Sequence, residues 1–277
     1  MKALLTGAAG NLGTALRESR EVEFVPLGRA DWPKLPALLT PGVDAVLHAA
    51  WDLKTPFTQS PEAVFDANLM TTLRLLEACR AHRIPRFAYV STCAVYGESM
   101  NTSEDSICCP VTVNGIAKLL NERIVQAFCA EHGIDCQIYR VFNMFGGNDH
   151  FSILSHLRRA LEKSIPFMLN NRGVAQRDFV YVGDVASIVA TLLQRKLAAV
   201  HVNVGTGRAI RIADIVGVVQ RLRPELRIAY RSVAEAEYSR ANTDRLVSIA
   251  GGLQFVEVMR FVESEFGPGG RGAGAAG

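Results

Sequence analysis

The first residues able to do chemistry stand at the very start of the chain, in Thr6-Gly7-Ala8-Ala9-Gly10-Asn11-Leu12-Gly13. An apolar run from Lys2 to Leu5 precedes them and a helix-forming stretch, Thr14 to Ser19, follows, so the order reads strand, glycine turn, helix. Gly7 permits a tight turn, Gly10 lets backbone approach a pyrophosphate, and Gly13 lets the helix close on the strand. A helix start also offers unpaired N–H groups and the positive end of its dipole to phosphate. The stretch therefore predicts a dinucleotide site, with Gly7, Ala9, Gly10, Asn11 and Leu12 against the cofactor. A second constellation is Asn114 with Lys118. In a helix predicted over Val113–Glu131 the two are i and i+4, an amide and an amine on one face.

Composition bounds the rest. A chain of 277 residues, 49% hydrophobic and 21% charged, can bury a large core as one domain or one and a half. A net charge of +3 with no basic run argues against a nucleic-acid partner. No apolar stretch reaches membrane-spanning length, and the N-terminus reads as a core strand rather than a leader. Six cysteines, Cys79, Cys93, Cys108, Cys109, Cys129 and Cys136, show no metal-type spacing and read as reduced thiols of a cytoplasmic protein, with no metal site.

The elements that must position the chemistry follow in order. Glu21 to Leu27 reads as a second strand, whose end meets the adenine ribose in a dinucleotide fold. Arg29 there can hold a 2′-phosphate or stand solvated, and Asp31 is two residues late for the acidic residue that favours NAD. The cofactor expectation, NAD or NADP, thus leans slightly to NADP. Asp44 to Ala50 is a buried strand ending in Ala49 and Ala50, small enough for a cofactor to lie across. His48 within it reads as a packed histidine. Pro61 to His82 carries the apolar stripe of a long helix, and Arg86 to Val90 is the next strand. Asp135 to Val141 is a further strand, Ser152 to Lys163 an amphipathic helix, and Gln176 to Ala186 strand, turn and helix start, with Asp184 capping a helix from Val185. Val200–Gly207 and Leu226–Tyr230 read as strands, and Arg211–Arg221 and Val256–Phe266 as helices. Arg177 has the fork geometry to grip a diphosphate, or to pair with a neighbouring acid such as Asp178. Asn143, after a strand end, is either a ligand contact or a turn residue.

With these pieces in place the chain resembles the extended short-chain dehydrogenase/reductase family, in its nucleotide-sugar epimerase/dehydratase branch. The resemblance runs from Met1 to about Arg245. It rests on TGAAGNLG, the Gly42–Ala50 strand, FDANLMTT, STCAVYG, PVTVNGIAK, RVFNMFG and QRDFVYVGDVA, in that order. It implies an α/β fold, a doubly wound parallel (Rossmann) sheet with a smaller C-terminal substrate domain. The expected boundaries are 1–145 plus 179–205 for the dinucleotide-binding domain, 146–178 plus 206–266 for the substrate domain, and a disordered tail over 267–277. It further implies Asn68 and Lys118 against the cofactor. Thr92, Tyr96, Asn143 and Arg177 would lie against a nucleoside-diphosphate sugar, and a homodimer would form through Pro61–His82 and Val113–Glu131. On the second helix Ile116, Leu119, Leu120 and Ile124 are apolar.

One departure is central. The family's proton donor is a tyrosine four residues before the active-site lysine; Lys118 matches the lysine and Asn114 stands in the tyrosine's place. An amide donates a hydrogen bond but does not ionise near neutral pH. Three explanations stay open: an enzyme with another proton donor, an inactive variant of an ordinary epimerase, and a cofactor-binding sensor or scaffold without catalysis. Thr92 matches the serine or threonine that bonds the reacting oxygen, so Thr92, Asn114 and Lys118 form the expected catalytic group. Cys93 and Ala94 stand where the family's 4,6-dehydratases carry an acid, and Cys93 reads as a buried structural thiol. This leaves 4-epimerisation or keto reduction; the resemblance implies Tyr96 near the substrate, with a displaced proton donor as its alternative role.

Overall fold

A computed structural model describes residues 1–39, 42–52, 60–198 and 200–270. Six parallel strands form the central sheet in the order His201–Val204, Asp135–Val141, Arg86–Thr92, Ala45–His48, Lys2–Thr6, Glu23–Leu27. The strands are mostly apolar because both sheet faces are covered, with Gln137, Arg140 and Asn203 as buried polar exceptions. Alternation sends Ala3 and Leu5 to one core, with Val185, Val189 and Leu192 of the helix Val182–Leu193. Leu4 goes to the other, with Leu75, Leu76 and Val125 from the helices Thr71–Ala81 and Val113–His132. Chain order reverses direction across the sheet at Lys2–Thr6, and open α/β sheets bind ligands at that point.

Local sequence explains the long helix. The Thr112 hydroxyl caps it by accepting from the Gly115 N–H, 3.1 Å, and Gly133 ends it at φ +67°. The Pro61–His82 stretch is less regular: a π-helical turn over Asp66–Met70 joins Pro61–Phe65 to Thr71–Ala81. That wide turn carries Asn68, which is buried.

A third core, with Phe145, Leu157, Phe179, Val219, Val262 and Phe266, belongs to the smaller lobe. Three boundaries differ from expectation. Gln176–Tyr181 lies in a separate sheet, beside Ala209–Arg211 and Tyr238–Ala241, and the chain rejoins the central sheet only at His201–Val204. Its alternating side chains straddle the two bodies, Phe179 in the small core and Val180 in the large one. The helix Asp244–Ala250 buries Leu246 in the large core, so this part of 206–266 packs on the dinucleotide side. Finally, the helix expected from Val185 begins at Val182, because no turn separates it from the strand. Asp184 therefore sits in its first turn instead of capping it, and its Oδ2 accepts from the Val256 N–H, 2.8 Å.

Gly267–Gly270 forms a turn, Gly270 N–H to the Gly267 carbonyl at 3.0 Å; residues 271–277 of the expected tail lie outside the described residues. Among the described residues no helix is long and apolar enough to cross a membrane.

Candidate active site

The glycine turn and the Ala45–His48 strand end are built against each other. Gly7 has φ +72°, and a Cβ there would meet the Ala50 nitrogen at 2.7 Å. A Cβ on Gly13 would lie 2.1 Å from the Gly7 carbonyl oxygen, so the helix Asn11–Arg17 packs as closely as its glycine permits. Ala9 and Gly10 are exposed, and neither a side-chain cap nor an acidic residue occupies the helix start. Asn11 turns its amide aside, donating to the Gly146 carbonyl at 2.9 Å, so its side chain braces the turn.

A buried relay holds the segment after the strand. His48 Nδ1 lies 2.7 Å from Thr6 Oγ1 and Nε2 3.0 Å from Thr72 Oγ1. Thr72 donates to the Asn68 carbonyl, 2.8 Å, so it must accept from an Nε2–H, leaving Nδ1 to accept from Thr6. Burial, reinforced by the Lys118 charge, pulls the His48 pKa down to about 3, and the ring is neutral and structural, as its apolar strand implied. Thr6 Oγ1 also accepts from the Ala50 N–H, 3.1 Å, and Asn68 Oδ1 from the Asp52 N–H, 2.7 Å. Asn68 thus grips the Ala49–Asp52 segment.

Between these two anchors stands Trp51. Its indole N–H donates to Asn114 Oδ1 at 2.8 Å, and its ring lies 4.1 Å from Lys118 Nζ. Lys118, 6% exposed, donates to the Val90 carbonyl at 2.7 Å and also faces the Tyr89 ring at 4.7 Å. Burial, opposed by the Glu122 carboxylate, brings the Lys118 pKa down to about 7. Thr92 lies two residues beyond Val90, its Oγ1 accepting from the Ala94 N–H at 3.2 Å. It pairs with Val141, two residues before Asn143. Thr92, Asn114, Lys118 and Asn143 therefore converge on the C-terminal edge of the sheet, next to Ala49 and Ala50.

Asn143 and Arg177 line one cavity of about 600 Å³ that reaches into the small lobe, where Arg159, Arg231 and His156 also face it. Asn143 Nδ2 donates to the Asp178 carbonyl, 2.9 Å. Arg177 pairs with an acid, but that acid is Glu235 at 3.3 Å, because Asp178 points inward to the N–H groups of Thr206, Gly207 and Ala241.

One expectation is corrected. Tyr96 does not face the cleft: it is 3% exposed, donates to Asn203 Oδ1 at 2.7 Å and accepts from Arg140 at 2.9 Å. Burial pushes its phenol well above the ordinary range, which disqualifies it as a proton donor. Arg29 is 84% exposed and 3.9 Å from Asp52, a surface charge near an acid. Cys93 is half-buried beside Ser239, and burial raises its pKa, in keeping with an inert thiol. Sequence reasoning missed Trp51 altogether; its only signal was an aromatic residue directly after two alanines at a strand end.

The sequence model of the NAD dependent epimerase/dehydratase family matches residues 3–205. Among curated proteins, an uncharacterised UDP-glucose epimerase, YtcB, of Bacillus subtilis is 29% identical over 190 residues, 66% of this chain and 60% of that protein. The UDP-glucose 4-epimerase of Azospirillum brasilense is 28% identical over 206 residues, 66% of this chain and 59% of that one. The chain thus spans about 60% of the length of these relatives. In fold it is similar to the UDP-glucuronic acid 4-epimerase of Bacillus cereus, solved with UDP-glucuronic acid and NAD, at a TM-score of 0.83, 22% identity and coverage of 96% and 98% of the two chains. Nothing in these likenesses supports a preference for NADP. The glycine turn, the parallel sheet and the matched span agree: the chain belongs to the NAD dependent epimerase/dehydratase family.

Proposed function

We propose that this protein binds NAD along the glycine turn and a nucleoside-diphosphate sugar in the cavity beside Asn143 and Arg177, and acts as an epimerase or 4-keto reductase at a sugar carbon. The observation that carries the reading is the meeting of Asn114, Lys118 and Thr92 at the sheet edge where the glycine turn and Ala49–Ala50 also end. The open ground at Ala9 and Gly10 and the uncapped helix start fit a pyrophosphate. Bound NAD would supply the hydride acceptor and donor.

The chain's own residues do the rest. Thr92 and the Asn114 amide hold the sugar oxygen. Lys118, titrating near neutrality, takes the hydroxyl proton as its neutral amine and returns it as the ammonium. Arg159 and Arg231, with Arg177 paired to the lining Glu235, leave the cavity an excess of positive charge for a diphosphate, while Phe167 and Leu169 give it apolar wall. A second reading, a cofactor-binding sensor without turnover, draws on the absence of an ionisable group at position 114 and on the indole covering Lys118.

Calorimetry on stripped protein tests the cofactor, with NAD expected to bind and Arg29→Ala expected to change NAD affinity by no more than about twofold, as for a surface charge. A thermal-shift panel of uridine, thymidine, guanosine and cytidine diphosphate sugars, with NAD present, tests the substrate. No shift with any of them would remove the enzyme reading.

The assembly is proposed to be a homodimer. Ile116 and Leu120, i and i+4 on the long helix, are exposed, as are Phe65 and Met70 beside the π-helical turn. Leu119 and Ile124, in contrast, pack against the protein's own core. Ile116→Glu with Leu120→Glu is expected to give a monomer by light scattering with the fold intact; an unchanged mass would reject this face.

A further inference from the structure

We propose that Trp51 is a positioning residue of this site: its indole N–H holds the Asn114 amide with the Nδ2 donors turned away toward the reacting oxygen, and its ring shields the Lys118 amine from water. The inference rests on the proposed function for its catalytic meaning, and on geometry alone for the contact.

An indole N–H can only donate, so the amide atom facing it at 2.8 Å must be Oδ1. That choice decides the chemistry of position 114. With its oxygen claimed, the side chain has only N–H donors left to offer, and a donor is what a developing oxyanion needs. An amide free to flip would spend part of its time presenting oxygen to the same spot and repelling it.

The indole is itself fixed. The backbone N–H on each side of it is bound by a side chain, Ala50 to Thr6 Oγ1 and Asp52 to Asn68 Oδ1, and both threonine and asparagine are buried. Its ring packs on the core face that holds Leu75 and Val125. On its other duty, the ring lies 4.1 Å from Lys118 Nζ, opposite the carbonyl of Val90 at 2.7 Å and near the Tyr89 ring at 4.7 Å. Among the described residues the groups facing the amine include two aromatic rings, one carbonyl, the neutral His48 ring and, one turn along the helix, the Glu122 carboxylate. Removal of the indole would let water reach Nζ and raise its affinity for a proton.

The test uses the full chain, with and without NAD. Only two tryptophans are present, Trp32 and Trp51, so Trp32→Phe assigns the indole N–H signals of a ¹⁵N-labelled sample. The Trp51 N–H is expected to exchange slowly with water in the parent and quickly in Asn114→Ala, a change at an exposed residue that spares the fold. Trp51→Phe keeps a ring over Lys118 but loses the N–H. It is expected to lower kcat roughly tenfold, the scale of one hydrogen bond, with KM for the sugar nucleotide little changed, and in an Asn114→Ala background, where the amide is already gone, Trp51→Phe should cost nothing more. Trp51→Leu, which removes the ring, should move the pH midpoint of turnover upward. Unchanged indole exchange in Asn114→Ala, or parental turnover in Trp51→Phe, would overturn the proposal. Should the parent turn over no nucleotide sugar, the proposed function falls and the exchange measurement alone decides the contact.

Discussion

Lys118→Met is expected to lower turnover of a nucleoside-diphosphate sugar by roughly 10²–10⁴-fold, the range for a placed general acid or base. Asn114 does not ionise, Tyr96 is buried and fully bonded, and His48 is held neutral inside the sheet. Among the described residues Lys118 is the group at the sheet edge whose pKa burial brings down to about 7. Lys118→Arg keeps the charge but not the chemistry, since a guanidinium does not lose its proton, and it should fail to rescue. The same substitution carries a stability signature independent of activity. A lysine whose folded pKa is lowered from 10.5 to about 7 penalises the native state at every pH below 7. The penalty fades as pH rises, because the unfolded chain still binds the proton that the folded chain has released. Parent stability should therefore climb from about pH 7 toward 10 by up to about 1.4 kcal/mol per pH unit. Urea unfolding of Lys118→Met should lack that climb. Equal slopes in the two proteins would mean that Lys118 stays charged.

Glu122→Gln is expected to destabilise the protein by about 3–5 kcal/mol, the cost of leaving a buried charge without its partner. Glu122 is fully buried and receives Arg140 through a 2.7 Å contact from Nη2 and further bonds from Nε. Ser91 donates to it as well, and His201 Nε2 lies 3.6 Å away. Burial alone would raise the Glu122 pKa, but the bonds from His201, Arg140 and Ser91 and the arginine charge outweigh it and hold it well below the usual carboxylate range. A depressed carboxylate stabilises the native state above its unfolded value and loses that contribution as pH falls. Acid unfolding of the parent should thus begin below about pH 4.5, the ordinary glutamate value. Because Arg140 also bonds Tyr96 and the Glu104 carbonyl, the loss should spread to the floor beneath Thr92. Glu122→Gln with Arg140→Met removes both charges and should recover part of the loss. Urea melts at neutral pH measure all three proteins, and a single variant as stable as the parent would show the pair to be dispensable.

The parts of the fold that were readable from sequence are those specified locally. Asp135–Val141 agrees to the residue, since Ile138, Tyr139 and Val141 are strand formers and Gly133 ends the helix before them. The glycine turn was readable because only glycine fits against Ala50 and beneath the first helix. What was not readable depends on partners far along the chain. Ser99–Thr102 is a strand only because Tyr238–Ala241 lies beside it. Asp244–Ala250 has one fully buried side chain, Leu246, too little for a periodic signal. Tyr96 was assigned to the cleft from its motif, yet a buried arginine needs acceptors. Arg140 in the middle of an apolar strand was the clue that something nearby, Tyr96 included, turns inward. Trp51 escaped for the same reason: Asn114 is 63 residues away in sequence.

The central claim is that this site moves hydride on a nucleoside-diphosphate sugar with an amide, Asn114, one helical turn before Lys118. The most direct measurement is proton NMR of the parent protein with NAD and a panel of uridine, thymidine, guanosine and cytidine diphosphate sugars deuterated at C4. The account predicts that at least one of them is converted to its C4 epimer with the label conserved, or that the matching unlabelled 4-keto sugar is reduced and gains deuterium at C4 once reduced NAD deuterated at the nicotinamide C4 is supplied, and that Lys118→Met abolishes the conversion. Tight binding of both NAD and a nucleotide sugar, with no conversion of any member of the panel, would contradict it and leave a binding protein.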